Sequence, residues 1–264
     1  MVETIYPAKA LKCPVSIAVI ADFHNTDASP VIQSVKAHRP DLICIPGDVV
    51  SGWIPKTDLF MLEQENVLTL LAALPAIAPT FFSLGNHERM LMKRDLDVIE
   101  KTGAVILDNT WVPLSVKGQP IALGGLTSGR VFGYRIWKEK NHPGEVYPRQ
   151  THPERVYEDE YPRTDWMAPF LSSSGYHILL CHHPEYCPAL PPGVDLILAG
   201  HTHGGQIRIG RHGLFAPGQG WLPEYSGGLY TRPSSGAMIV SRGLSNTRKQ
   251  IPRLFNPTEI VYIA

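Results

Sequence analysis

Short apolar runs rich in β-branched residues recur along this chain, and each ends abruptly in polar residues or glycine. Runs of this length and character are typical of strands that are buried on both faces of a sheet. We predict such strands at Val15–Ile20, Asp41–Ile45, Thr80–Leu84, Ile121–Leu126, His177–Cys181 and Asp195–Ala199. Three further short strands are predicted towards the end of the chain, at Gln206–Ile209, Ala237–Ser241 and Glu259–Ile263.

Helical patterns lie between the early strands. Helices are predicted at Ser29–His38, Asp58–Leu74 and Glu88–Lys101. Ser29 is the expected N-cap because Pro30 suits a first helical turn, and Gly103 is expected to stop the third helix. Strands that alternate with helices favour parallel pairing and right-handed crossovers. The predicted fold class is therefore α/β.

The length of 264 residues and a hydrophobic fraction of 44% fit one domain spanning residues 1–264. Residues 127–165 are rich in Arg, Tyr, Pro, Glu and His with little periodicity, so we expect an insertion or functional loop there. The 24 Lys and Arg residues balance 24 Asp and Glu residues. This balance gives no indication of a nucleic-acid partner or of an anionic membrane.

The lengths of the apolar runs and the spacing of the cysteines favour a cytoplasmic protein. The first apolar run, Val15–Ala21, is too short to span a bilayer and lacks a cationic leader, and no later run reaches roughly 18 apolar residues. The four cysteines show no CxxC spacing. Reduced, partly buried thiols are therefore expected rather than a disulfide framework.

Polar side chains collect where the predicted strands end. The clusters are Asp22-Phe23-His24, Gly47-Asp48, Gly85-Asn86-His87-Glu88, Cys181-His182-His183-Pro184 and Gly200-His201-Thr202-His203-Gly204-Gly205-Gln206. Ligands of parallel α/β sheets bind beyond the carboxyl ends of the strands. We therefore expect all five clusters to converge on one edge of the sheet.

Seven side chains of these clusters offer oxygen or imidazole nitrogen and no thiolate. They are Asp22, His24, Asp48, Asn86, His182, His201 and His203. This donor set suits Mn²⁺, Fe, Zn²⁺ or Co²⁺. Seven ligands are too many for one such ion but enough for two ions that share a carboxylate. With two aspartates and one hydroxide the centre keeps a charge of about +1, which attracts a phosphoryl oxygen.

The motifs D-x-H, G-D, G-N-H-(D/E), H-x-P and G-H-x-H, in this order, resemble those of the calcineurin-like metallophosphoesterase superfamily. The resemblance runs from about Ser16 to Gln206. The C-terminal part, including Ser241-Arg242-Gly243-Leu244, is similar to the bacterial branch that hydrolyses phosphodiesters or UDP-sugar lipids. The resemblance implies a four-layer α/β/β/α sandwich with metals at the sheet edges.

The resemblance also implies roles for individual residues. A first metal would be held by Asp22, His24, Asp48 and His203, and a second by Asp48, Asn86, His182 and His201. Asp48 would then bridge the two ions. His87 would act on the substrate, with Glu88 orienting it from behind and favouring its charged imidazolium. The expected reaction is in-line attack of a metal-bridging hydroxide on a small-molecule phosphate ester. A diester is favoured because residues 127–165 add arginines and tyrosines that could contact a second substituent beside the phosphate.

Two other functions fit the sequence less well. A non-catalytic metal-binding scaffold of the same fold is disfavoured because all seven ligand positions are filled. A nucleotide-binding doubly wound domain would need a glycine-rich turn after the first strand, and Asp22-Phe23-His24-Asn25 has no glycine.

Some residues near these motifs have two interpretations. His183 either touches the site or is an ordinary loop residue. Arg130, Tyr134 and Arg135 either bind a second phosphate or lie in a solvated loop. Trp221 and Tyr225 either line the pocket or pack onto the core.

Overall fold

The computed structural model describes residues 1–51, 59–131, 162–217, 219–232, 236–245 and 252–264. Its strands, in chain order, are β1 (Val2–Tyr6), β2 (Ile17–Val19), β3 (Leu42–Ile45), β4 (Thr80–Ser83), β5 (Val105–Leu107), β6 (Thr110–Val116), β7 (Gln119–Leu126), β8 (Tyr176–Cys181), β9 (Leu196–Ala199), β10 (Arg208–Ile209), β11 (His212–Gly213), β12 (Phe215–Ala216), β13 (Gly220–Trp221), β14 (Gly228–Thr231), β15 (Ala237–Val240) and β16 (Glu259–Ile263).

Twelve of these strands form two six-stranded sheets. The first sheet has the order β1-β16-β2-β3-β4-β5, and the second has the order β14-β15-β9-β8-β7-β6. Strands β2 to β5 pair in parallel, as do β7, β8, β9 and β15. The predicted parallel pairing is thus confirmed within each sheet. Antiparallel strands lie towards the edges, and β10–β13 form two small hairpins.

The α-helices with both ends in the described residues are α1 (Ser29–His38), α2 (Glu65–Ala73), α3 (Lys93–Glu100) and α4 (Met167–Ser172). Short 3-10 helices occupy Ala8–Leu11, Phe60–Glu63, Leu74–Ala76, Asn86–Met90, Pro184–Ala189 and His203–Gly205. The predicted helix bounds were partly wrong. Ser29 is the first helical residue rather than the cap. The two longer predicted helices are interrupted, at Gln64 and at Leu91–Met92.

The two sheets pack face to face through alternate residues of their strands. Side chains at alternate positions, including Val19, Cys44, Leu123, Leu180 and Leu198, form one buried cluster between the sheets. Because successive side chains of a strand point to opposite faces, their neighbours point outwards. These strands are apolar on both faces, which explains the continuous apolar runs in the sequence.

The outward faces are covered by helices. On the first sheet, Ile43 and Phe82 share a cluster with Val31, Leu70 and Ile99, which come from α1, α2 and α3. On the second sheet, a cluster including Leu179 and Ile197 contains Phe170 of α4. The layers are therefore helix, sheet, sheet and helix, which confirms the α/β sandwich expected from the motifs.

Three further expectations concern the chain as a whole. All four cysteines are buried free thiols, as expected. Among the described residues, no helix has the length and apolar character needed to cross a membrane. Residues 132–161 lie outside the described residues, so an insertion over 127–165 and a single domain of 1–264 stay predictions.

Candidate metal centre

Seven side chains meet where the carboxyl ends of five strands approach one another. The loops after β2, β3, β4, β8 and β9 carry, in order, Asp22, His24, Asp48, Asn86, His182, His201 and His203. Each of the seven is at most 7% exposed. The structure therefore brings together every predicted metal ligand, and it takes them from both sheets.

The side chains fall into two groups that meet at Asp48. Ligand atoms of Asp22, His24 and His203 all lie within 4.8 Å of one another, and so do those of Asp48, His182 and His201. Asp48 Oδ2 is 3.1 Å from His182 Nε2 in its own group and 3.8 Å from His24 Nε2 in the other. Its carboxylate thus lies between the groups.

Two polar atoms of this cluster, Asn86 Oδ1 and His201 Nε2, are buried without a hydrogen-bond partner. A buried polar atom that is left unpaired costs about 1–3 kcal/mol. Metal ions would satisfy such lone pairs. Carboxylate, amide oxygen and imidazole nitrogen are also the donors that first-row transition metals accept. The residues present therefore fit a metal centre.

Backbone carbonyls orient two of the imidazoles. His24 Nδ1 lies 3.1 Å from Val50 O, and His203 Nδ1 lies 3.2 Å from Ser245 O. A carbonyl can only accept, so each Nδ1 carries a proton and each Nε2 is the nitrogen that is directed into the cluster. Partners of this kind fix the tautomer and ring angle of metal-ligating histidines.

The backbone at the cluster is unusual. Five of the seven side chains sit on residues with positive φ, at Asp22 (50°), His24 (45°), Asp48 (55°), His201 (70°) and His203 (47°). Residues other than glycine seldom adopt this left-handed conformation, which costs of order 1–3 kcal/mol and concentrates at functional sites. The turns direct side chains from successive loop residues into one small volume.

Glycines precede the ligands because there is no room for a side chain. A Cβ on Gly85 would lie 2.4 Å from Asp48 Oδ1, and one on Gly200 would lie 2.5 Å from Asp22 Oδ2. Gly47 has a φ of 128°, and its Cβ would approach Gly85 N to 2.6 Å. The glycines of the motifs are thus required by close packing around the two aspartates.

Charges within the cluster favour ionised aspartates. Burial raises the pKa of Asp22, but His203 and a hydrogen bond with His24 outweigh it, so this pKa lies below its ordinary value. Burial likewise opposes ionisation of Asp48, whose pKa is nevertheless held well below its usual range by His182 and His87. Two carboxylates therefore remain charged in a buried site, as cation ligands should.

The imidazoles differ from one another. Burial lowers the pKa of His182, but Asp48 outweighs it and raises this pKa to about 9. Burial lowers the pKa of His203 to about 4, and it holds the pKa of His201 well below its usual range. His201 and His203 are therefore neutral near pH 7, with lone pairs ready for a metal.

Glu88 lies beneath the cluster rather than in it. Its carboxylate is fully buried and accepts hydrogen bonds from the backbone N–H groups of Asp48 (2.8 Å), Val49 (2.8 Å), Val50 (3.3 Å) and Gly85 (2.7 Å). One side chain thus fastens the loop that carries Asp48 to the loop that carries Asn86. This is a positioning contact.

His87 lies against Asp48. Its backbone N–H donates to Asp48 Oδ1 at 2.8 Å, and its Nε2 is 3.9 Å from Asp48 Oδ2. Its ring meets that of His24 edge-on at 4.4 Å. Burial lowers the pKa of His87 to about 3, and Asp48 only partly opposes this effect. The expectation that Glu88 makes His87 an imidazolium was therefore wrong, since burial dominates.

A second cluster of polar side chains lies next to the candidate ligands, and the sequence indicated only part of it. His183 contacts Ser128 Oγ through Nε2 (2.9 Å) and Glu185 Oε1 through Nδ1 (3.1 Å). Glu185 Oε1 lies 3.5 Å from His201 Nε2. His183 thus adjoins the site, and Glu185 was missed. The only available signal was an acidic residue two positions after the histidine pair.

Of the remaining candidates, Trp221 and Tyr225 contact other parts of the protein. Trp221 is 78% exposed and contacts the ring of Phe215 at 5.7 Å, whereas Tyr225 packs against the cluster on the outer face of the second sheet. Arg130 is partly buried next to the described end of its loop. Tyr134 and Arg135 lie outside the described residues.

Comparison with known proteins bears on this geometry. A family model for calcineurin-like phosphoesterases matches residues 15–205, which contain all seven clustered side chains. The chain belongs to the calcineurin-like phosphoesterase family. This membership confirms the expected class of enzyme, a metal-dependent hydrolase of phosphoric esters. Together with the buried His and Asp groups, it indicates binding of divalent metal ions.

Individual relatives are distant. YpbG of Bacillus subtilis is 28% identical over 90% of this chain and 76% of its own length. Phosphodiesterase YaeI of Escherichia coli is 27% identical over 74% of this chain and 63% of its own length. A 5'-nucleotidase precursor from Thermus thermophilus superposes with a TM-score of 0.51 at 15% identity, over 86% of this chain and 48% of that one. The superposition supports the fold alone.

Proposed function

We propose that this phosphoesterase hydrolyses a phosphodiester of a small molecule and that it uses two transition-metal ions. The observation that carries the proposal is the meeting of two ligand groups at one carboxylate, Asp48. A site for one ion would not need seven inward-facing side chains. The name of the Escherichia coli relative, a phosphodiesterase, supports a diester as substrate.

The two ion positions follow the two groups. Asp22, His24, Asp48 and His203 would hold the first ion, and Asp48, Asn86, His182 and His201 would hold the second. Ions bound there would supply Lewis-acid polarisation of the phosphoryl group and would acidify a water molecule enough to make it a nucleophile near neutral pH. Mn, Fe, Zn and Co all suit these donors.

Two residues that are not proposed as metal ligands, Glu88 and His87, would orient the ligand loops and stabilise the reacting phosphate. Glu88 holds the Asp48 and Asn86 loops in register through four backbone contacts. His87 also lies with its ligand atom within 4.8 Å of those of His24 and Asp48. It is the residue proposed to touch the substrate, because the two ion positions described above are complete without it. As a neutral imidazole it donates a hydrogen bond to a phosphoryl or leaving oxygen, which counts most in the transition state.

The test is hydrolysis of paired aryl phosphate mono- and diesters with each of Mn²⁺, Fe²⁺, Zn²⁺ and Co²⁺ added. We expect faster cleavage of diesters and dependence on metal. A large preference for monoesters would contradict the diester assignment. Two bound ions without hydrolysis of any ester would instead support the non-catalytic scaffold.

A further inference from the structure

We infer that residues 241–245, here called the 241–245 loop, position Asp22 and His203 and so set the affinity of the first metal site. The loop and its fasteners, Arg253 and Asn256, lie beyond residues 15–205, which the family model matches. The inference rests on the proposed two-ion function and adds residues to it that contact no ion themselves.

The 241–245 loop packs directly against Asp22. Gly243 has a φ of 74°, and a Cβ there would lie 2.6 Å from Asp22 Cβ and 2.9 Å from Asp22 Oδ2. The N–H of Leu244 donates to the carbonyls of Ala21 (3.2 Å) and Asp22 (3.3 Å). The loop therefore contacts both the backbone and the side chain of Asp22.

The same loop orients His203. The carbonyl of Ser245 accepts from His203 Nδ1 at 3.2 Å, which leaves Nε2 facing Asp22 Oδ1 at 3.5 Å. From the other side, Asn256 Nδ2 donates to the carbonyls of His203 (2.8 Å) and Gln206 (3.0 Å). The imidazole and its backbone are thus held from two directions.

Arg253 fastens this arrangement. Its guanidinium donates to Ser245 O at 2.8 Å, the carbonyl that also holds His203, and to Arg242 O at 2.9 Å and Asn256 O at 2.9 Å. All three of these acceptors are backbone carbonyls. At the other end of the loop, the N–H of Arg242 donates to Glu259 Oε1 at 2.8 Å, which ties the loop to β16.

The contacts of the loop favour one ion position. Asp22 and His203 belong to the first group alone, and the loop contacts them directly. The second group is reached only through Asp22, which accepts from His201 N–H at 3.1 and 3.0 Å. Groups that orient metal ligands typically contribute 10–100-fold to metal affinity. Loosening the loop should therefore weaken the first ion position by about that factor and the second position less.

The first test replaces the fastener, with a matched control. Arg253→Gln removes the donors to Ser245 and Arg242. Arg232→Gln removes another buried arginine, whose Nη1 donates to Val194 O at 3.3 Å, near the start of β9 and at the opposite end of that strand from His201. Metal content by elemental analysis and affinity by chelator competition are measured on both. We expect Arg253→Gln to bind one of its two ions about 10–100-fold less tightly and Arg232→Gln to match wild type.

The second test does not depend on whether a buried arginine can be lost without unfolding. Gly243→Ala and Gly118→Ala introduce the same side chain at nearly the same φ, 74° and 77°, but a Cβ on Gly118 has no atom within 4 Å. Only the first should displace Asp22. We expect one ion position to weaken in Gly243→Ala and both to be unaffected in Gly118→Ala.

The outcomes separate this inference from the two-ion proposal. Wild-type affinity at both positions in Gly243→Ala and in Arg253→Gln would overturn the role of the loop while two bound ions persist. One ion in the wild type, weakened by both variants, would refute the second ion and support the loop. Equal weakening of both ions would also refute the loop's selectivity.

Discussion

Asp48 is the residue on which both ion positions depend. We expect Asp48→Ala to carry far fewer ions than the wild type, which should carry close to two per chain. Asp41→Ala is the matched control, because Asp41 lies at the other end of β3, where it accepts from Ser16 N–H at 2.9 Å. Elemental analysis of the purified proteins decides the matter. A metal-free wild type that hydrolyses esters would end the two-metal proposal.

A substitution of His87 can distinguish an effect on catalysis from an effect on metal binding. We expect His87→Ala to keep its metals and its fold while kcat falls roughly 10²–10³-fold, the usual contribution of one positioned hydrogen-bond donor in a transition state. If His87 donates to the leaving oxygen, the loss should shrink for esters with acidic leaving groups, whose leaving oxygen needs less stabilisation. His177→Ala is the control, because His177 is equally buried at 8% exposure but lies at the opposite end of β8.

The result that would contradict a catalytic His87 is specific. If this residue only supports the start of the Asn86–Met90 helix, its loss should lower stability by about 1 kcal/mol and hardly change kcat. Near-normal turnover of an ester with a poor leaving group would therefore refute the assignment.

The positions of the candidate ligands were predictable residue by residue, because each follows an apolar strand. What the sequence did not reveal is how they are held. The positive φ of His201 and the contact of Gly243 with Asp22 arise between loops that are distant in the chain. Glu185 and Ser245 were not predicted for the same reason, because no local sequence pattern identifies a residue that contacts another loop.

Among the elements, buried strands were predicted better than helices. A strand apolar on both faces is recognisable alone, whereas β1 and β6 alternate exposed and partly buried residues and were missed. Helix bounds depend on contacts from elsewhere. The helix predicted over Glu88–Lys101 stops and restarts because Met92 is extended and Asp95 caps the new start. Tertiary hydrogen bonds thus override local propensity there.

Asp95 provides a test at the scale of elements. Its carboxylate is fully buried and accepts from Met92 N–H at 2.9 Å and from Met61 N–H at 3.0 Å, so it joins α3 to the Phe60–Glu63 helix. Asp95→Ala orphans both donors. We expect the free energy of unfolding to fall by about 2–4 kcal/mol, measured by chemical denaturation.

A control on the same helix isolates this effect. Asp97 is partly exposed and pairs with Lys93 on the surface of α3. Water screens an exposed ion pair of this kind, so Asp97→Ala should change stability little. Equal losses in the Asp95 and Asp97 variants would show that capping does not connect these two helices.

At the scale of the whole molecule, the candidate centre joins the two sheets. Asp22, His24, Asp48 and Asn86 follow strands of the first sheet, whereas His182, His201 and His203 follow strands of the second. Direct contacts already cross this boundary, because His201 N–H donates to both oxygens of Asp22, at 3.1 and 3.0 Å. Bound ions would add bonds from one sheet to the other at the same edge.

Removing the metals should therefore destabilise the entire sandwich. An ion that binds only the folded state stabilises it by about 2.7 kcal/mol when its free concentration is 100 times Kd, and two ions add their effects. We expect a chelator to lower Tm by several degrees and added Mn²⁺ or Zn²⁺ to restore it. Asp48→Asn is the informative comparison, since it keeps the shape but loses the shared charge. Its Tm should respond much less to chelator, and an equally large response would place the stabilising ions elsewhere in the protein.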